Sequence, residues 1–155
     1  MKKLTLGSSL PGLTGKNQLG EDIQLSSYIG KKIVIYFYPK DDTPGCTAQA
    51  CSIRDGMSTL NQKEIEVIGI SADPISSHSK FVAKYTLPFT LISDESKEIM
   101  NAFGVWGTKK FMGKVYDGIH RTTFLFDEKG KLVHVIEKPD TKNHAQEILN
   151  FYNEL

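Results

Sequence analysis

The amino-acid sequence predicts an α/β fold in which helices flank a mixed central sheet, with an extra β-hairpin at the N-terminus. Three observations lead to this prediction. Short apolar segments rich in β-branched residues, typical of buried strands, alternate with segments of helical periodicity. Residues 12–25 alternate loosely between polar and apolar side chains, which indicates a small hairpin ahead of these elements. Two strand segments nearer the C-terminus flank Asp127–Gly130, a turn signal that indicates an antiparallel pair.

The first buried strand covers Lys32–Tyr38, which reads Lys-Ile-Val-Ile-Tyr-Phe-Tyr. Pro39 ends this strand, because proline has no amide hydrogen to donate to a sheet. A polar loop then leads into a helix that we predict from about Cys46 to Asn61. Thr43 is the predicted N-cap of this helix, and Pro44 suits its first position. The apolar face of the helix comprises Ala50, Ile53, Met57 and Leu60.

The remaining elements follow from periodicity and turn residues in the same way. They are a strand at Glu66–Ser71, a helix that starts at Asp73-Pro74, a strand at Thr90–Ile92, a helix capped by Asp94, a loop with four glycines at Gly104–Gly118, strands at Thr122–Phe126 and Lys131–Ile136, and a final helix with Ala145, Ile148, Leu149 and Tyr152 on one face. Parallel strands joined by helices and followed by an antiparallel pair form the thioredoxin-like arrangement. Sites in such sheets lie beyond the carboxyl ends of the strands, where Cys46 falls.

Length and charge limit the possible partners. The chain has 155 residues, which suits one domain over residues 1–155. Its 19 basic and 18 acidic residues give a formal net charge of +1, so we expect neither nucleic acid nor a membrane as partner. No signal-peptide core follows Lys2 and Lys3, and no apolar run approaches the ~20 residues of a membrane span. We therefore expect a cytoplasmic protein with reduced thiols.

The surroundings of Cys46 favour a reactive thiolate. An ordinary cysteine thiol has a pKa of about 8.5 and is mostly protonated at neutral pH. Cys46 falls in the first turn of the predicted helix, at the positive end of its dipole. The Thr43 hydroxyl, three residues earlier, can donate a hydrogen bond toward the sulfur. Gly45 lets the backbone approach closely, and Arg121 is a candidate for a nearby cation. The alternative is an inert, buried cysteine.

Other functions on the same fold remain open at this point. A dithiol–disulfide reductase usually has Cys-x-x-Cys, whereas four residues separate Cys46 from Cys51. A binding module without enzymatic activity would use the two cysteines as a structural disulfide, which closes too small a loop to stabilise much. His120 neighbours Arg121 on a predicted strand and should point to the opposite face. We expect no metal or other cofactor, because no metal-ligand spacing relates His78, His120, His134 and His144.

Several motifs resemble a known family. Pro39, Thr43 and Cys46 have the spacing Pro-x-x-x-Thr-x-x-Cys, which resembles the active-site signature of the peroxiredoxins. The whole run 37–47, with Ala50-Cys51 and Arg54-Asp55 behind it, resembles the bacterioferritin comigratory (Q-type) subfamily. The segments 104–107 (Gly-Val-Trp-Gly) and 118–125 (Gly-Ile-His-Arg-Thr-Thr-Phe-Leu) are similar to the same subfamily, so the resemblance covers nearly the whole chain.

The resemblance implies a thiol peroxidase and assigns its residues. Cys46 would be the peroxidatic cysteine, and Thr43 would hydrogen-bond the thiolate and the peroxide. Pro39 would shield the sulfur from water, and Arg121 would stabilise the thiolate and the leaving oxygen. Cys51 would be the resolving cysteine, which forms an intramolecular disulfide. The expected substrates are hydrogen peroxide and organic hydroperoxides, the expected reductant is thioredoxin or a similar dithiol, and we expect a monomer.

One position departs from the subfamily pattern. Many members have Glu three residues after the peroxidatic cysteine, where this chain has Gln49. We expect Gln49 to tune the activity, because its side-chain oxygen can still accept a hydrogen bond.

A second expectation concerns the disulfide. Two cysteines five residues apart in one helix have Cα atoms roughly 8–9 Å apart, beyond the ~7 Å limit of a disulfide. Oxidation should therefore unwind the start of the helix.

Overall fold

The computed structural model describes residues 2–155 and contains two β-sheets and five α-helices within them. The strands are β1 (Thr14–Asn17), β2 (Asp22–Gln24), β3 (Lys32–Phe37), β4 (Ile65–Ser71), β5 (Thr90–Ser93), β6 (Trp106–Phe111), β7 (Lys114–Ile119), β8 (Thr122–Phe126) and β9 (Leu132–Ile136). The helices are α1 (Pro44–Asp55), α2 (Met57–Gln62), α3 (Ile75–Tyr85), α4 (Glu98–Phe103) and α5 (His144–Asn153), and a 3-10 turn covers Leu25–Tyr28.

Seven strands form the central sheet, in the order β2-β1-β5-β4-β3-β8-β9. Strands β3, β4 and β5 are parallel, whereas β8 is antiparallel to β3 and β9 is antiparallel to β8. The predicted mixed sheet is therefore confirmed. The predicted N-terminal hairpin is confirmed as β1 and β2, and it extends the sheet because β1 pairs with β5. Since β3 and β4 are parallel neighbours, the loops after them meet at one edge of the sheet.

Helices cover both faces of the sheet. Strand β3 is buried along nearly its whole length, and its side chains alternate between two cores. Val34 and Tyr36 face the core under α1, α2, α3 and α5. Ile35 and Phe37 face the core under α4 and the 3-10 turn. Both faces of β3 are thus packed against apolar side chains, which holds its carboxyl end and the loop that leaves it in place. No helix within residues 2–155 is long and apolar enough to cross a membrane.

The helix predicted from Cys46 to Asn61 has different limits. It begins at Pro44, directly after the predicted N-cap Thr43, and is interrupted at Gly56, beyond which α2 begins. The prediction of one continuous helix was therefore wrong. A Cβ atom at Gly56 would lie 2.6 Å from the Cβ of Ala145 in α5. The glycine permits this close approach of α5 and also weakens the helix at that point.

The segment 104–118, predicted as a loop, contains most of a β-hairpin. Strands β6 and β7 pair antiparallel in a separate two-stranded sheet. Met112 and Gly113 form the turn, both with positive φ (50° and 80°). Phe111 and Val115 are exposed, and burial in the hairpin is confined to its base, where Ile119 is buried and Trp106 packs against the core. The alternation by which a strand is usually predicted is therefore missing, and methionine is an unusual residue for such a turn.

Candidate active site

Cys46 lies at the junction of β3 and α1. It is the third residue of α1, and its side chain is buried, with 1% exposure. The first bond within the helix runs from the amide of Thr47 to the carbonyl of Thr43 (2.8 Å). The amide groups of the first turn have no partner within the helix itself, so they place partial positive charge beside the sulfur. The predicted position of the cysteine at the helix start is confirmed.

Arg121 contacts the sulfur directly. It precedes β8, and the register of β3 with β8 sets Thr122 beside Phe37, at the end of β3 from which the Cys46 loop departs. Its Nη2 donates to Cys46 Sγ at 3.3 Å, across 75 residues of sequence. The prediction that the guanidinium reaches the sulfur is confirmed. A fixed positive charge at hydrogen-bond distance favours the thiolate over the thiol.

Gly45 makes room for this contact. A Cβ atom at position 45 would lie 3.2 Å from Arg121 Nη2, closer than most side-chain contacts. A side chain there would have to shift the guanidinium by a few tenths of an ångström, so glycine favours the close approach that the sequence suggested.

Gln49 orients the arginine. Its side chain is fully buried, and its Oε1 accepts a hydrogen bond from Arg121 Nη1 at 2.6 Å. The amide oxygen thus accepts the hydrogen bond from Arg121 that a glutamate oxygen could accept, but it carries no negative charge. Gln49 Nε2 has no hydrogen-bond partner within residues 2–155, and the same holds for the hydroxyl of buried Tyr36. Burial raises the pKa of Tyr36 well above its ordinary value, and the charge of Cys46 adds to this effect.

Thr43 differs from the expectation in one respect. It has the extended conformation of an N-cap residue, but its side chain does not cap the helix. Its hydroxyl donates instead to the backbone oxygen of Lys40 (2.8 Å), so its single proton is directed away from the sulfur. The expected hydrogen bond from Thr43 to the thiolate is therefore wrong for this conformation. The lone pairs of the hydroxyl oxygen stay available as acceptors.

The other two predicted site residues flank this centre. Cys51 lies in the same helix α1 as Cys46, is partly exposed, and both thiols are free. Pro39 is exposed and follows the end of β3. Its shielding of the sulfur stays a prediction.

A cavity of about 350 Å³ adjoins the arginine. His120 and Arg121 both line it, but their side chains bond different elements: His120 Nε2 lies 3.1 Å from the carbonyl oxygen of Thr108 in β6, whereas Arg121 contacts α1. The prediction that the two residues lie on a strand was wrong, because they form the irregular link between β7 and β8. The other lining residues are mostly cationic: Lys3, Lys109, Glu137, Lys138 and Pro139.

A buried polar cluster beside the loop of Cys46 was missed by the sequence reasoning. Asp41, Asp73 and His78 offer oxygen and nitrogen atoms within 4.8 Å of one another, as a metal site would. Hydrogen bonds already engage these groups: His78 bonds Asp41 and Ile92, and Asp73 accepts from the amide of Asp41. The cluster is therefore complete without an ion. Its sequence signal was the position of His78 on the apolar stripe of α3, three residues after Ile75 and before Phe81.

Comparisons with known proteins agree with this geometry. The model of the AhpC/TSA family matches residues 6–135. The chain is 46% identical to peroxiredoxin Bcp of Escherichia coli K12 over 154 residues, which cover 99% of both chains. A solved structure of the Xanthomonas campestris bacterioferritin comigratory protein aligns with a TM-score of 0.89 and 31% identity, over 97% of this chain and 98% of the other. Xylella fastidiosa PrxQ, solved as a cysteine-to-serine mutant, aligns with a TM-score of 0.92 and 28% identity, over 99% and 98%.

These similarities extend over almost the full chain and include both sequence and fold. The family match spans the strand, loop and helix that carry Cys46 as well as the strand that follows Arg121. The thioredoxin-like fold predicted from the sequence is thereby confirmed. The chain belongs to the AhpC/TSA family and is a peroxiredoxin of the bacterioferritin comigratory, or Q-type, group.

Proposed function

We propose that Cys46 is the peroxidatic cysteine of a peroxidase that uses Cys51 as its resolving cysteine. The single observation that carries the proposal is the 3.3 Å contact between Arg121 Nη2 and Cys46 Sγ at the start of α1. A buried cysteine that only packs needs neither a guanidinium nor a helix N-terminus. Both features stabilise negative charge on the sulfur, which is the form that attacks a peroxide.

In the first step, the Cys46 thiolate attacks one oxygen of the peroxide. The new S–O bond forms as the O–O bond breaks, so the sulfur is oxidised to a sulfenic acid and the peroxide is reduced to water or an alcohol. The leaving oxygen takes up a proton from solvent. Arg121 stabilises the charge that develops on this oxygen, while Gln49 keeps the guanidinium in its orientation. The Thr43 oxygen accepts a hydrogen bond from the peroxide O–H, and Pro39 limits the access of water.

In the second step, the Cys51 thiol condenses with the sulfenic acid. The S–S bond forms and water leaves, which gives an intramolecular disulfide. Cys51 is partly exposed, so its thiol can reach an oxidised Cys46 once the helix between them opens. An external dithiol, which we propose is thioredoxin, then reduces the disulfide by thiol–disulfide exchange.

The substrates that we propose are hydrogen peroxide and organic hydroperoxides. The Xanthomonas campestris relative has alkyl peroxide reduction activity, which supports the second class for this chain. We propose that the protein acts as a cytoplasmic monomer of one domain. None of the steps above needs a metal or an organic cofactor, because the two thiols supply the electrons.

Peroxide consumption by three forms of the protein tests these assignments. Wild type should turn over with a dithiol reductant and consume about one equivalent per chain without it, because forming one disulfide from two thiols releases the two electrons that reduce one peroxide. Cys46→Ser should consume none while keeping its fold by circular dichroism. Cys51→Ser should consume about one equivalent and then require a small external thiol.

Each deviation has a distinct meaning. Turnover by Cys46→Ser near the wild-type rate would remove Cys46 from the mechanism. Turnover by Cys51→Ser with thioredoxin at the wild-type rate would show that Cys51 is not the resolving cysteine. A wild-type protein that leaves peroxide unchanged but reduces disulfides would support the dithiol–disulfide reductase instead.

A further inference from the structure

The loop that precedes Cys46 is held to the rest of the molecule through the carboxylate of Asp41. This side chain is nearly buried, at 4% exposure. One of its oxygens accepts a hydrogen bond from the Tyr38 hydroxyl at 2.6 Å. The other accepts from the Ser77 hydroxyl at 2.8 Å and faces His78 Nδ1 at 2.7 Å. Tyr38, directly after strand β3, and helix α3 therefore both bind the loop at Asp41, five residues before Cys46.

The contacts of His78 define where its protons lie. Its side chain is fully buried, and its Nε2 lies 3.0 Å from the carbonyl oxygen of Ile92. A carbonyl oxygen only accepts, so Nε2 carries a hydrogen. A second proton must lie between Nδ1 and Asp41, because two bare lone pairs at 2.7 Å would repel. The Tyr38 and Ser77 hydroxyls donate to the same carboxyl group, so both oxygens of Asp41 have hydrogen-bond partners.

The charged and titratable groups around the pair come from three elements. Asp73, from the loop after β4, accepts hydrogen bonds from the Asp41 amide (2.8 Å) and the Ser71 hydroxyl (2.7 Å). Tyr38, which follows β3, is a permanent donor, because burial raises its pKa well above the ordinary value. Ser77 and His78 come from α3. This closed set leaves the loop backbone little freedom at Asp41.

We propose that His78 is a positioning residue for the peroxide step, which acts by holding Asp41 and thereby the loop and helix start that carry Cys46. The inference rests on the proposed role of Cys46. The intervening segment has four residues, Pro44 restricts its backbone, and its last two residues begin α1. A shift of the loop at Asp41 is therefore transmitted to Cys46, whose sulfur must stay in contact with Arg121.

Asp42 provides a matched comparison in the same loop. Its carboxylate accepts hydrogen bonds from Lys84 Nζ and the Tyr85 hydroxyl, both at 2.7 Å. The Asp42 side chain is 43% exposed, so solvent screens its charge and can replace its partners. Both aspartates join the loop to α3, but only the Asp41 contact is buried. Asp42→Asn should therefore leave the peroxide step unchanged.

Two substitutions at His78 separate its two hydrogen bonds. The side-chain amide of His78→Asn stands where Nδ1 stands and can keep the bond to Asp41, whereas that of His78→Gln reaches the place of Nε2 and can keep the bond to Ile92. Each variant loses one hydrogen bond, so the two should have similar stability. The measured quantity is the second-order rate constant for Cys46 oxidation by hydrogen peroxide, from rapid quenching and mass spectrometry. Urea unfolding of each variant gives its stability.

Positioning through Asp41 predicts different rates for the two variants. His78→Asn should stay within about threefold of wild type, and His78→Gln should be at least about tenfold slower, because a displacement near 1 Å can cost up to about a hundredfold. Equal rates for the two variants, or rates that follow stability alone, would overturn the inference. A remote control for stability is Tyr152→Phe, which removes a buried hydrogen bond to Phe126 at the other end of β3.

The remaining outcomes are also decisive. If His78→Gln does not fold, Ser77→Ala removes one of the three donors to Asp41 without disturbing the core. A rate lowered by clearly more than about threefold then supports the inference, and a rate within about threefold of wild type overturns it. A wild-type protein that peroxide leaves unmodified at Cys46 overturns the proposed function itself. A wild-type protein oxidised at Cys46, with equal rates in the two His78 variants, overturns only the positioning role.

Discussion

Oxidation of Cys46 and Cys51 to a disulfide should unwind α1 from Pro44 to Cys51 and leave its C-terminal end anchored to the rest of the molecule. Both cysteines lie within α1 (Pro44–Asp55). Five residues of helix rise ~7.5 Å and leave the two Cα atoms roughly 8–9 Å apart on different faces. A disulfide needs Cα atoms within about 7 Å. The bond and an intact helix between the two residues are therefore incompatible.

Contacts at the far end of the helix limit the unwinding. The Ser52 hydroxyl accepts a hydrogen bond from the amide of Ala145 in α5 (3.2 Å). Arg54 Nη1 donates to the carbonyl of Tyr85 at the end of α3 (2.8 Å). Neither contact involves the segment between the cysteines. We expect the disordered segment to be Pro44–Cys51, while these two contacts and the hydrogen bond from the Gly56 amide to the Ser52 carbonyl (3.1 Å) hold the end of the helix in place.

The free-energy change of this unwinding is small. Roughly nine backbone hydrogen bonds, those donated by residues 47–55, are lost at about 1 kcal/mol net each as eight residues are freed. Each freed residue regains about 1–2 kcal/mol of backbone entropy. The two contributions nearly cancel, so formation of the disulfide is sufficient to open the segment. The contacts of Arg121 with Cys46 and Gln49 are lost at the same time, so the oxidised site is no longer organised to bind peroxide.

Amide hydrogen exchange in the two redox states tests this prediction. Amides between Thr47 and Cys51 should exchange at least about tenfold faster after oxidation, because local opening governs their protection. Amides from Gly56 onward, whose acceptors lie outside the unwound segment, should change little and serve as an internal control. Equal protection of residues 43–55 in both states, or an oxidised structure with α1 intact through both cysteines, would refute the geometric reasoning.

Three further predictions concern the surroundings of the thiol. Arg121→Gln should slow Cys46 oxidation about a hundredfold, the usual effect of losing one aligned donor, whereas Arg54→Gln should stay near wild type; equal effects in stopped-flow assays would remove Arg121 from the peroxide step. Gln49→Glu should keep the rate within about tenfold, and Gln49→Leu should be slower because Arg121 loses its acceptor; a wild-type rate for Gln49→Leu would contradict this. Burial lowers the pKa of His144, so the unfolded chain binds more protons, and the free energy of unfolding should fall as the pH drops below about 6.5. Urea unfolding should show a weaker pH dependence for His144→Asn, and an identical dependence would argue against His144 as the cause.

The sequence alone determined the local frame of the site. A buried strand, a proline, a polar loop and Thr43-Pro44 at a helix start all follow from signals within about fifteen residues. They placed Cys46 in the first turn of α1, as the structure confirms. The strand and helix order gave the mixed sheet for the same reason, because periodicity and capping are properties of neighbouring residues.

Signals of this kind weaken where burial does not accompany them. Hairpin β6–β7 was missed, because Phe111, Val115 and Tyr116 are exposed and its turn uses Met112. The interruption of the helix at Gly56 was missed, because the glycine accommodates the close approach of Ala145 from α5, a helix distant in the sequence. Both errors have a tertiary cause: the hairpin packs against little of the core, and the helix is interrupted where α5 approaches it.

Only the tertiary structure decided which distant groups meet the thiol. From the sequence, Arg121 was only a candidate for a nearby cation, and the resemblance to the family assigned its role. The antiparallel register of β3 with β8 brings its guanidinium to 3.3 Å from Cys46 Sγ. The position of His78 among the apolar residues of α3 is visible in the sequence, but its partner Asp41 lies 37 residues away. Strand order and register fix such pairs, and they depend on how the whole core packs, which no short segment encodes.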